Sequence, residues 1–279
     1  MKAIRYGFVL FVLLLSCRLL NLQAETTGVE KPAESAPLDH SQTAWQPVVG
    51  QSWQWQLTGE IDSTVDAEVY DLDLFETDSG LVEDLHRMGK RVICYINVGA
   101  WEDWREDASL FPERLLGADY AGWQGERWLD IHQIELLKPI LQARFDLCKS
   151  RGFDAIEPDN IDGYTNETGF NLTFEDQLQY NRWLSEEAHA RGLLIGLKND
   201  PDQARDLVSA YDWAMTEDCF DQDWCEQVQV FTQAGKPVFM AEYTDTRIDF
   251  EAACAVANRL HFSLILKNRD LDVFLRACP

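Results

Sequence analysis

From Gln51 onward, short apolar segments alternate with amphipathic segments of helical length, and this alternation limits the fold more than any other feature. Several helical segments end in glycine, at Gly89, Gly152 and Gly192, and lead directly into the next apolar run. A glycine that ends a helix just before a strand is typical of the return from helix to strand in a parallel sheet. The predicted strands are residues 53–57, 68–75, 91–98, 155–157, 194–197, 213–216, 238–241 and 263–266.

Eight strands that alternate with helices over about 225 residues fit a (β/α)8 barrel of ordinary size. A doubly wound open sheet is the alternative, and it would usually carry a glycine-rich turn after its first strand. The residues at that point are Thr58, Gly59 and Glu60 instead. We therefore predict an α/β protein with a single domain, a (β/α)8 TIM barrel over residues 49–279. The predicted helices are residues 79–88, 135–151, 174–191, 201–210, 223–234 and 249–259.

The N-terminal residues resemble an export signal followed by a linker. Lys2 and Arg5 precede an apolar run over residues 8–15, which is too short to span a bilayer. Residues 25–48 are mostly polar and lack apolar periodicity, so they predict a flexible linker. We therefore expect the barrel to be exported and attached to its signal through a tether.

Two ways of processing this signal remain open. Cleavage after residue 24 would remove a signal peptide over residues 1–24 and release the protein. The residues LLSC at positions 14–17 also resemble a bacterial lipobox, which would remove residues 1–16 and leave Cys17 lipidated. The expected location is thus secreted, periplasmic or lipid-anchored at the cell envelope, with membrane anchoring through Cys17 in the last case.

The formal net charge of −24 excludes nucleic acid as a partner, because phosphates need Lys and Arg. An excess of carboxylates keeps exported proteins soluble, and it also attracts a cationic substrate over about one Debye length. Six cysteines other than Cys17 permit disulfides, and Cys219 with Cys225 is the preferred pair. No cysteine or histidine cluster has zinc spacing, so we expect no metal and no cofactor.

If the fold is a barrel, the chemistry lies where the strands end, because the loops that follow them form the catalytic face. The fourth predicted strand runs into Glu157, Asp159 and Asp162, and repulsion between neighbouring carboxylates raises at least one pKa. A ring of carboxylates suits glycoside hydrolysis, which needs one carboxyl group protonated and another ionised. It also suits a divalent cation, although Lys198 disfavours a metal. The polar groups near the strand ends include Asp73, Tyr95, Asn97, Glu157, Asp159, Asn160, Lys198, Asn199, Glu217, Glu242 and Tyr243.

The segment between the third and fourth predicted strands is longer than a strand-to-helix connection requires. It carries Trp101, Trp104, Trp123 and Trp128 among acidic residues. Long loops after barrel strands lie on the catalytic face, and tryptophan rings beside carboxylates are typical of sugar-binding clefts. Packing of the loop onto the barrel rim is the alternative role for each ring, and as a group they favour a carbohydrate site.

Several spaced motifs resemble the endo-α-1,4-polygalactosaminidase family, glycoside hydrolase family 114. They are YINVGAWEDWR at residues 95–105, GERWLD at 125–130, GFDAIEPDN at 152–160, GLLIGLKN at 192–199, and EDCF at 217–220 with Cys225. The resemblance covers roughly residues 53–243 and implies a TIM barrel that acts on an amino-sugar polysaccharide.

By motif, the resemblance implies that Asp159 is the nucleophile and Glu217 the general acid/base of a retaining mechanism. Asn160 can donate a hydrogen bond that keeps Asp159 ionised, and the apolar residues 213–216 predict a raised pKa for Glu217. Glu157 is the alternative for either role, unless it points into the barrel as a structural residue. We expect the following residues to contact the sugar: Asp73, Tyr95, Asn97, Trp101, Trp128, Glu157, Asn160, Lys198, Asn199, Glu242 and Tyr243.

The substrate that the resemblance implies is an α-1,4-linked galactosamine polymer, which is cationic when it is deacetylated and so complements the net charge. We predict an endo-acting, retaining glycosidase that works as a monomer. A barrel that binds such a polymer without cutting it is the first alternative. A carboxylate-bound metal hydrolase is the second, and activity that survives EDTA would exclude it.

Overall fold

The computed structural model describes residues 45–279. The predicted export signal, Cys17 and most of the predicted linker lie outside the described residues. No helix among the described residues has the length and apolar character needed to cross a membrane.

The core of the fold is a curled sheet whose first eight strands are parallel, in the order β1-β2-β3-β7-β8-β9-β10-β11, with β12 antiparallel at the edge. The predicted eight-stranded barrel is therefore confirmed. The strands are β1 (Trp53–Gln56), β2 (Val69–Asp73), β3 (Arg91–Asn97), β4 (Ala100–Glu102), β5 (Leu116–Asp119), β6 (Glu126–Leu129), β7 (Ala155–Asp159), β8 (Leu194–Lys198), β9 (Trp213–Glu217), β10 (Val238–Tyr243), β11 (Ser263–Lys267) and β12 (Arg276–Ala277).

Side-chain hydrogen bonds join the first and last parallel strands of the barrel. The indole nitrogen of Trp53 on β1 donates to the carbonyl of Ser263 on β11 at 2.8 Å. The ammonium group of Lys267, at the end of β11, donates to the side-chain oxygen of Gln54 at 3.0 Å. These contacts bring β11 beside β1, so the sheet curls around a common interior.

Helices lie in every connection between consecutive parallel strands except that from β1 to β2, and their ends follow local sequence signals. Asp78 caps the first helix by accepting from the amide of Leu81, and Thr173 forms a reciprocal capping box with Asp176. The segment predicted as one helix over 223–234 consists of two short consecutive helices. The helices are α1 (Ser79–Arg87), α2 (Ile134–Arg151), α3 (Phe174–Ala190), α4 (Ala204–Leu207), α5 (Cys225–Val228), α6 (Val230–Gln233) and α7 (Phe250–Leu260).

Successive side chains of a strand point to opposite faces of the sheet. The buried residues therefore form two groups, an outer layer that packs against the helices and an interior enclosed by the barrel. On β2, Tyr70 and Leu72 pack in the layer against the helices, whereas Val69 belongs to the interior cluster. Asp71 lies two residues after Val69 on the same strand, so its side chain also points into the barrel interior. Gly196 on β8 makes room for the interior ring of Trp213, because a β-carbon there would lie 2.4 Å from that ring.

A three-stranded antiparallel sheet, in the order β4-β6-β5, lies between β3 and α2. The sequence predicts a long loop in this region, and the sheet was missed because strands of three or four residues are too short to show a clear alternation. This small sheet carries most of the tryptophans of that segment to the rim of the barrel.

Three disulfides connect different parts of residues 45–279. Cys94 on β3 is bonded to Cys148 on α2, and Cys254 on α7 is bonded to Cys278 near the C-terminus. The predicted pair of Cys219 and Cys225 is confirmed, and it closes a small loop after β9. Three disulfides indicate that the chain folds in an oxidising compartment, which agrees with export.

Candidate active site

A cavity of about 680 Å³ opens at the carboxyl ends of the parallel strands, where a barrel places its chemistry. Asp159 at the end of β7 and Glu217 at the end of β9 both line it, and their side chains are 19% and 24% exposed. Glu157, two residues before Asp159 on the same face of β7, is fully buried beneath them. Depth in the barrel therefore distinguishes two carboxylates that reach the cavity from one that does not.

The carboxylate of Asp159 accepts hydrogen bonds from three side chains. The hydroxyl of Tyr95 donates to Oδ2 at 2.9 Å, and the ammonium of Lys198 donates to Oδ1 at 2.9 Å. The amide of Asn160 adds a longer contact of 3.4 Å to Oδ2. Donors on both oxygens hold the carboxylate in one orientation.

Glu217 is also surrounded by donors. Its Oε1 accepts from the hydroxyl of Tyr243, while its Oε2 lies 3.2 Å from both the amide of Asn199 and the ammonium of Lys198. Burial alone would raise the pKa of Glu217, but the charge of Lys198 and the hydrogen bonds from Tyr243, Lys198 and Asn199 outweigh burial and lower it. The raised pKa expected from the apolar residues before Glu217 was therefore wrong for the unliganded site.

Lys198 is the buried cation at the centre of the site. Its nitrogen lies 2.6 Å from Oε1 of Glu157, 2.9 Å from Asp159 and 3.2 Å from Glu217. It also lies 4.6 Å from the ring centre of Trp55, close enough for a cation–π contact. Burial alone would lower the pKa of Lys198, but the surrounding carboxylates hold it well above its usual value. One ammonium group on β8 thus joins three carboxylates from the two neighbouring strands, β7 and β9.

Glu157 and Asp71 form a second carboxyl pair in the barrel interior, below the cavity. Burial raises the pKa of Glu157 to about 7, although the charge of Lys198 opposes this shift. Burial and the charge of Glu157 raise the pKa of Asp71 well above its ordinary value. The structure thus agrees with the alternative reading of Glu157 as a residue that points into the barrel.

Asp73, predicted to contact the sugar, lines the cavity but is paired with a cation. The guanidinium of Arg105 binds both oxygens of Asp73, at 2.9 Å and 2.6 Å, and also binds Glu102 at 2.8 Å. This two-pronged geometry holds both carboxylates rigidly at the mouth of the cavity. Arg105 was not singled out from the sequence, because it comes from a loop far from the end of β2.

Tyr95, Asn160, Lys198, Asn199 and Tyr243 line the cavity together with the two carboxylates. The structure therefore brings most of the predicted residues to one site, from β3, β7, β8, β9 and β10 or from the turns just after these strands.

Four other residues predicted to contact the sugar lie outside the cavity lining. Asn97 is buried and accepts from the amide of Ala100 at 2.8 Å, which shapes the start of β4. Glu242 is buried and accepts from the amide of Phe220 at 2.7 Å, which holds the loop after β9. The two tryptophans in this group, Trp101 and Trp128, pack within the small antiparallel sheet rather than facing the cavity.

The small sheet contributes other aromatic rings to the cavity instead. Tyr120 lies against Trp128, with ring centres 4.7 Å apart, and lines the cavity with Trp104 and Trp123. Trp104 and Trp123 are both exposed, which is unusual for tryptophan. The tryptophan-rich composition pointed to this region, but only the pairing of β4 with β6 selects which rings face the cavity.

Acidic residues after β7 and β8 also reach the cavity. Burial and the charge of Asp159 raise the pKa of Asp162 to about 6. Burial and the charge of Asp162 raise the pKa of Asp200 to about 8, while Asp200 accepts from the hydroxyl of Tyr164 at 3.1 Å. The sequence places Asp162 just after the fourth predicted strand, and its position near Asp159 depends on how the following turn folds back over the barrel.

One group of side chains among residues 45–279 has metal-ligand spacing, namely Cys219, Cys225 and Glu242. Both sulfur atoms of this group are bonded to each other in a disulfide and are not available as thiolates.

Comparison with known proteins agrees with this geometry. The model of glycoside-hydrolase family GH114 matches residues 34–279. The crystal structure of Aspergillus fumigatus Ega3 in complex with galactosamine is 37% identical, with a TM-score of 0.80 over 86% of this chain and 100% of that chain. The glycoside hydrolase domain of PelA from Pseudomonas aeruginosa is 14% identical, with a TM-score of 0.63 over 81% and 97% of the two chains, and shows a shared fold. Curated protein sequences gave no match.

Proposed function

We propose that this chain, which belongs to glycoside-hydrolase family GH114, is a retaining, endo-acting hydrolase of α-1,4-linked galactosamine-containing polysaccharide. Glycosidase activity follows from the family. The substrate, the mode of cleavage and the roles of individual residues are the proposal. Binding without cleavage is less well supported, since both carboxylates that the chemistry needs reach the same cavity.

The observation that carries the proposal is the shared contact of Asp159 and Glu217 with Lys198. Since the ammonium nitrogen lies 2.9 Å from one and 3.2 Å from the other, the two contacted oxygens are at most about 6 Å apart. Retaining glycosidases separate their carboxyl groups by about 5–5.5 Å, and inverting enzymes by about 6.5–9.5 Å to admit a water. The spacing supports a retaining mechanism.

In the first step, Asp159 attacks the anomeric carbon and forms a glycosyl ester, while Glu217 donates its proton to the departing glycosidic oxygen. In the second step, Glu217 takes a proton from water, and the resulting hydroxide displaces Asp159 from the sugar. The hydrogen bonds from Tyr95 and Lys198 orient the carboxylate of Asp159 for the attack. The lowered pKa of Glu217 suits its role as a base in the second step and limits its protonated fraction in the first.

A cationic substrate is supported by the charges that line the cavity. Asp162 and Asp202 line it, and no ion pair connects either carboxyl group to a described Lys or Arg. The ammonium group of a deacetylated galactosamine unit would find carboxylates there. The likeness to Ega3, whose crystal structure contains galactosamine, supports the same class of sugar.

Several parts of the proposal concern the whole chain rather than the cavity. We infer that the protein acts outside the cytoplasm, because its three disulfides need an oxidising compartment. Anchoring through a lipidated Cys17, release after residue 24, and a monomeric state are predictions. Labelling of the mature N-terminus by mass spectrometry distinguishes a lipidated cysteine from a free new terminus.

Product analysis on galactosaminoglycans of defined acetylation tests activity, substrate and cleavage mode together. Internal cleavage is expected to yield a ladder of oligosaccharides, whereas single-unit release would contradict endo action. Asp159→Asn and Glu217→Gln should each abolish the release of reducing ends. Asp66→Asn, an exposed acid at the opposite end of β2, is the matched control and should retain parent activity.

Asp159→Asn and Glu217→Gln also distinguish the nucleophile from the general acid/base. On a galactosaminide with an activated leaving group, Glu217→Gln should still form the glycosyl-enzyme, because such a group leaves without protonation. Asp159→Asn should form none. Mass spectrometry of the trapped protein detects the intermediate, and a covalent adduct on Glu217 would reverse the assignment.

A further inference from the structure

Asp71 and Glu157 lie in the barrel interior, where three of their four carboxyl oxygens have no hydrogen-bond donor. The side chains of both residues are fully buried. Oε1 of Glu157 accepts from Lys198 at 2.6 Å, but Oε2 of Glu157 and both oxygens of Asp71 contact no N–H or O–H group of the described chain. Buried carboxylates without donors carry a large desolvation cost, so this arrangement needs an explanation.

A proton shared between the two carboxyl groups resolves this cost. The side chains of Asp71 and Glu157 are within hydrogen-bonding reach of each other, but two ionised carboxylates cannot donate to one another. A protonated Asp71 can donate to Oε2 of Glu157, so that one proton satisfies an oxygen on each residue. It also removes one negative charge from the interior.

The surrounding charges favour the proton on Asp71 rather than on Glu157. Glu157 on β7 contacts Lys198 on β8 directly, and a cation stabilises the ionised form of the carboxyl group that it touches. Asp71 on β2 has no such contact with a cation, and it faces the negative charges of Glu157 and Asp159, which the charge of Lys198 opposes. Burial and these charges together hold its pKa well above the ordinary value.

We propose that Asp71 is protonated, donates a hydrogen bond to Oε2 of Glu157, and is thereby a positioning residue for Lys198. Glu157 is then held by Asp71 on one oxygen and by Lys198 on the other. This chain of contacts fixes the ammonium group between Asp159 and Glu217. An ionised Asp71 would instead repel Glu157 and add a fourth negative charge around a single cation. The link to catalysis rests on the proposed function, whereas the protonation of Asp71 does not.

Two substitutions at this position test the proposal through kinetics. Asp71→Asn keeps the shape of the acid and can donate its amide proton to Glu157, whereas Asp71→Ala leaves Oε2 of Glu157 unpartnered. We expect Asp71→Ala to lower kcat at least tenfold with KM within threefold of the parent. Asp71→Asn should be at least tenfold more active than Asp71→Ala. Asp66→Asn is again the exposed control. Thermal unfolding of every variant shows whether a loss of activity comes from a loss of folding or from a change in the position of Lys198.

The pH dependence of Asp71→Asn separates a protonated Asp71 from an ionised one. If Asp71 is already neutral, the amide changes no charge, and the limbs of the kcat/KM profile should coincide with those of the parent. If Asp71 is ionised, removing its charge lowers the pKa values of neighbouring carboxyls and moves the acidic limb to lower pH. Such a movement, or equal activity of Asp71→Asn and Asp71→Ala, would overturn the proposal.

Infrared difference spectroscopy tests the proton without any assay of activity. At a pH above the titrations of Glu157 and Asp200, whose pKa values burial raises to about 7 and about 8, the parent protein should show the carbonyl band of a buried carboxylic acid, which shifts when aspartate is labelled with ¹³C. Asp71→Asn should lack that band, and Asp66→Asn should keep it. Absence of the band in a folded parent protein rejects the protonated Asp71, even if the polysaccharide proves not to be the substrate.

Discussion

The ammonium nitrogen of Lys198 lies 3.2 Å from Oε2 of Glu217, across the interface between β8 and β9. This contact, with the hydrogen bonds from Tyr243 and Asn199, overcomes the effect of burial and leaves Glu217 with a lowered pKa. The same nitrogen contacts Asp159 at 2.9 Å. The charge states of the two carboxylates at the cavity are thus linked through a single side chain.

The lowered pKa of Glu217 predicts an acidic pH optimum. The first step needs Glu217 protonated, and the protonated fraction falls as pH rises above a pKa that is already below the usual glutamate value. We therefore expect kcat/KM to decrease as pH rises through the neutral range, by about tenfold per unit at the limiting slope. Initial rates on one substrate of fixed acetylation measure this. A flat profile from acid to neutral pH would show that Glu217 does not act as the acid.

Removing the charge of Lys198 tests its role between the carboxylates. Lys198→Met keeps a similar shape, but it takes away the ammonium that contacts Glu157, Asp159 and Glu217. We expect a loss in kcat/KM on the order of 10², comparable to the loss of one preorganised electrostatic contact in other enzymes. Because the cation lowers the pKa of Glu217, its loss should also move the basic limb of the profile to higher pH.

Lys198→Arg retains the positive charge and is the control for the loss of kcat/KM in Lys198→Met. Activity of Lys198→Met within threefold of the parent, with an unmoved basic limb, would contradict the role of the ammonium group.

Gly99 and Asn160 are in such close contact that a side chain at Gly99 would displace Asn160 and, with it, Asp159, the proposed nucleophile. A β-carbon at this position would lie 1.6 Å from the carbonyl oxygen of Asn160, and the amide of Gly99 donates to the carbonyl of Asp159 at 3.1 Å. We expect Gly99→Ala to lower kcat at least tenfold and to cost about 1–3 kcal/mol of stability through overpacking. Chemical unfolding and initial rates measure the two effects, and normal activity would contradict this tight approach.

The cystines differ in the length of chain that they close, and so in their expected contribution to stability. Cys94 and Cys148 are 54 residues apart, whereas Cys219 and Cys225 are 6 residues apart. From the entropy of loop closure, removing the first should lower the free energy of unfolding by about 4 kcal/mol and removing the second by about 2 kcal/mol. Paired Cys→Ser variants measured by denaturant unfolding test the order. If removal of the Cys219–Cys225 bond lowered the free energy of unfolding more than removal of the Cys94–Cys148 bond, local packing rather than loop entropy would determine the contribution of each disulfide.

Added salt should slow the hydrolysis of a cationic substrate. The net charge of −24 and the acidic lining of the cavity attract ammonium groups, and this attraction is screened beyond about 10 Å at 0.1 M salt. We expect kcat/KM on a deacetylated galactosaminoglycan to fall with ionic strength, while a fully acetylated polymer serves as the uncharged control. An equal response of the two polymers would exclude electrostatic attraction.

Much of the barrel could be predicted because its signals are local. Strand β7, for example, is an apolar run that begins directly after the helix-ending Gly152, and both features are visible in a few consecutive residues. The small sheet of β4, β5 and β6 was missed because its short strands are defined by pairing across a loop. Trp128 was expected to contact the sugar, but its packing against the ring of Tyr120 is a tertiary contact that the sequence does not show.

The pKa of Glu217 is the clearest case in which local reasoning failed. Its preceding residues on β9 are apolar, which correctly indicates burial and therefore an upward shift. The groups that reverse the shift come from β8 and β10, at Lys198 and Tyr243. Nothing in the sequence near Glu217 carries that information.

The sequence by itself determined the eight-stranded alternation, the acids at the strand ends and the family to which the chain belongs, because periodicity and motifs depend on neighbouring residues. Only the tertiary structure decided which of those acids face the cavity and which lie below it. It also placed one lysine among Glu157, Asp159 and Glu217, and the protonation of a buried carboxyl group depends on such neighbours in space.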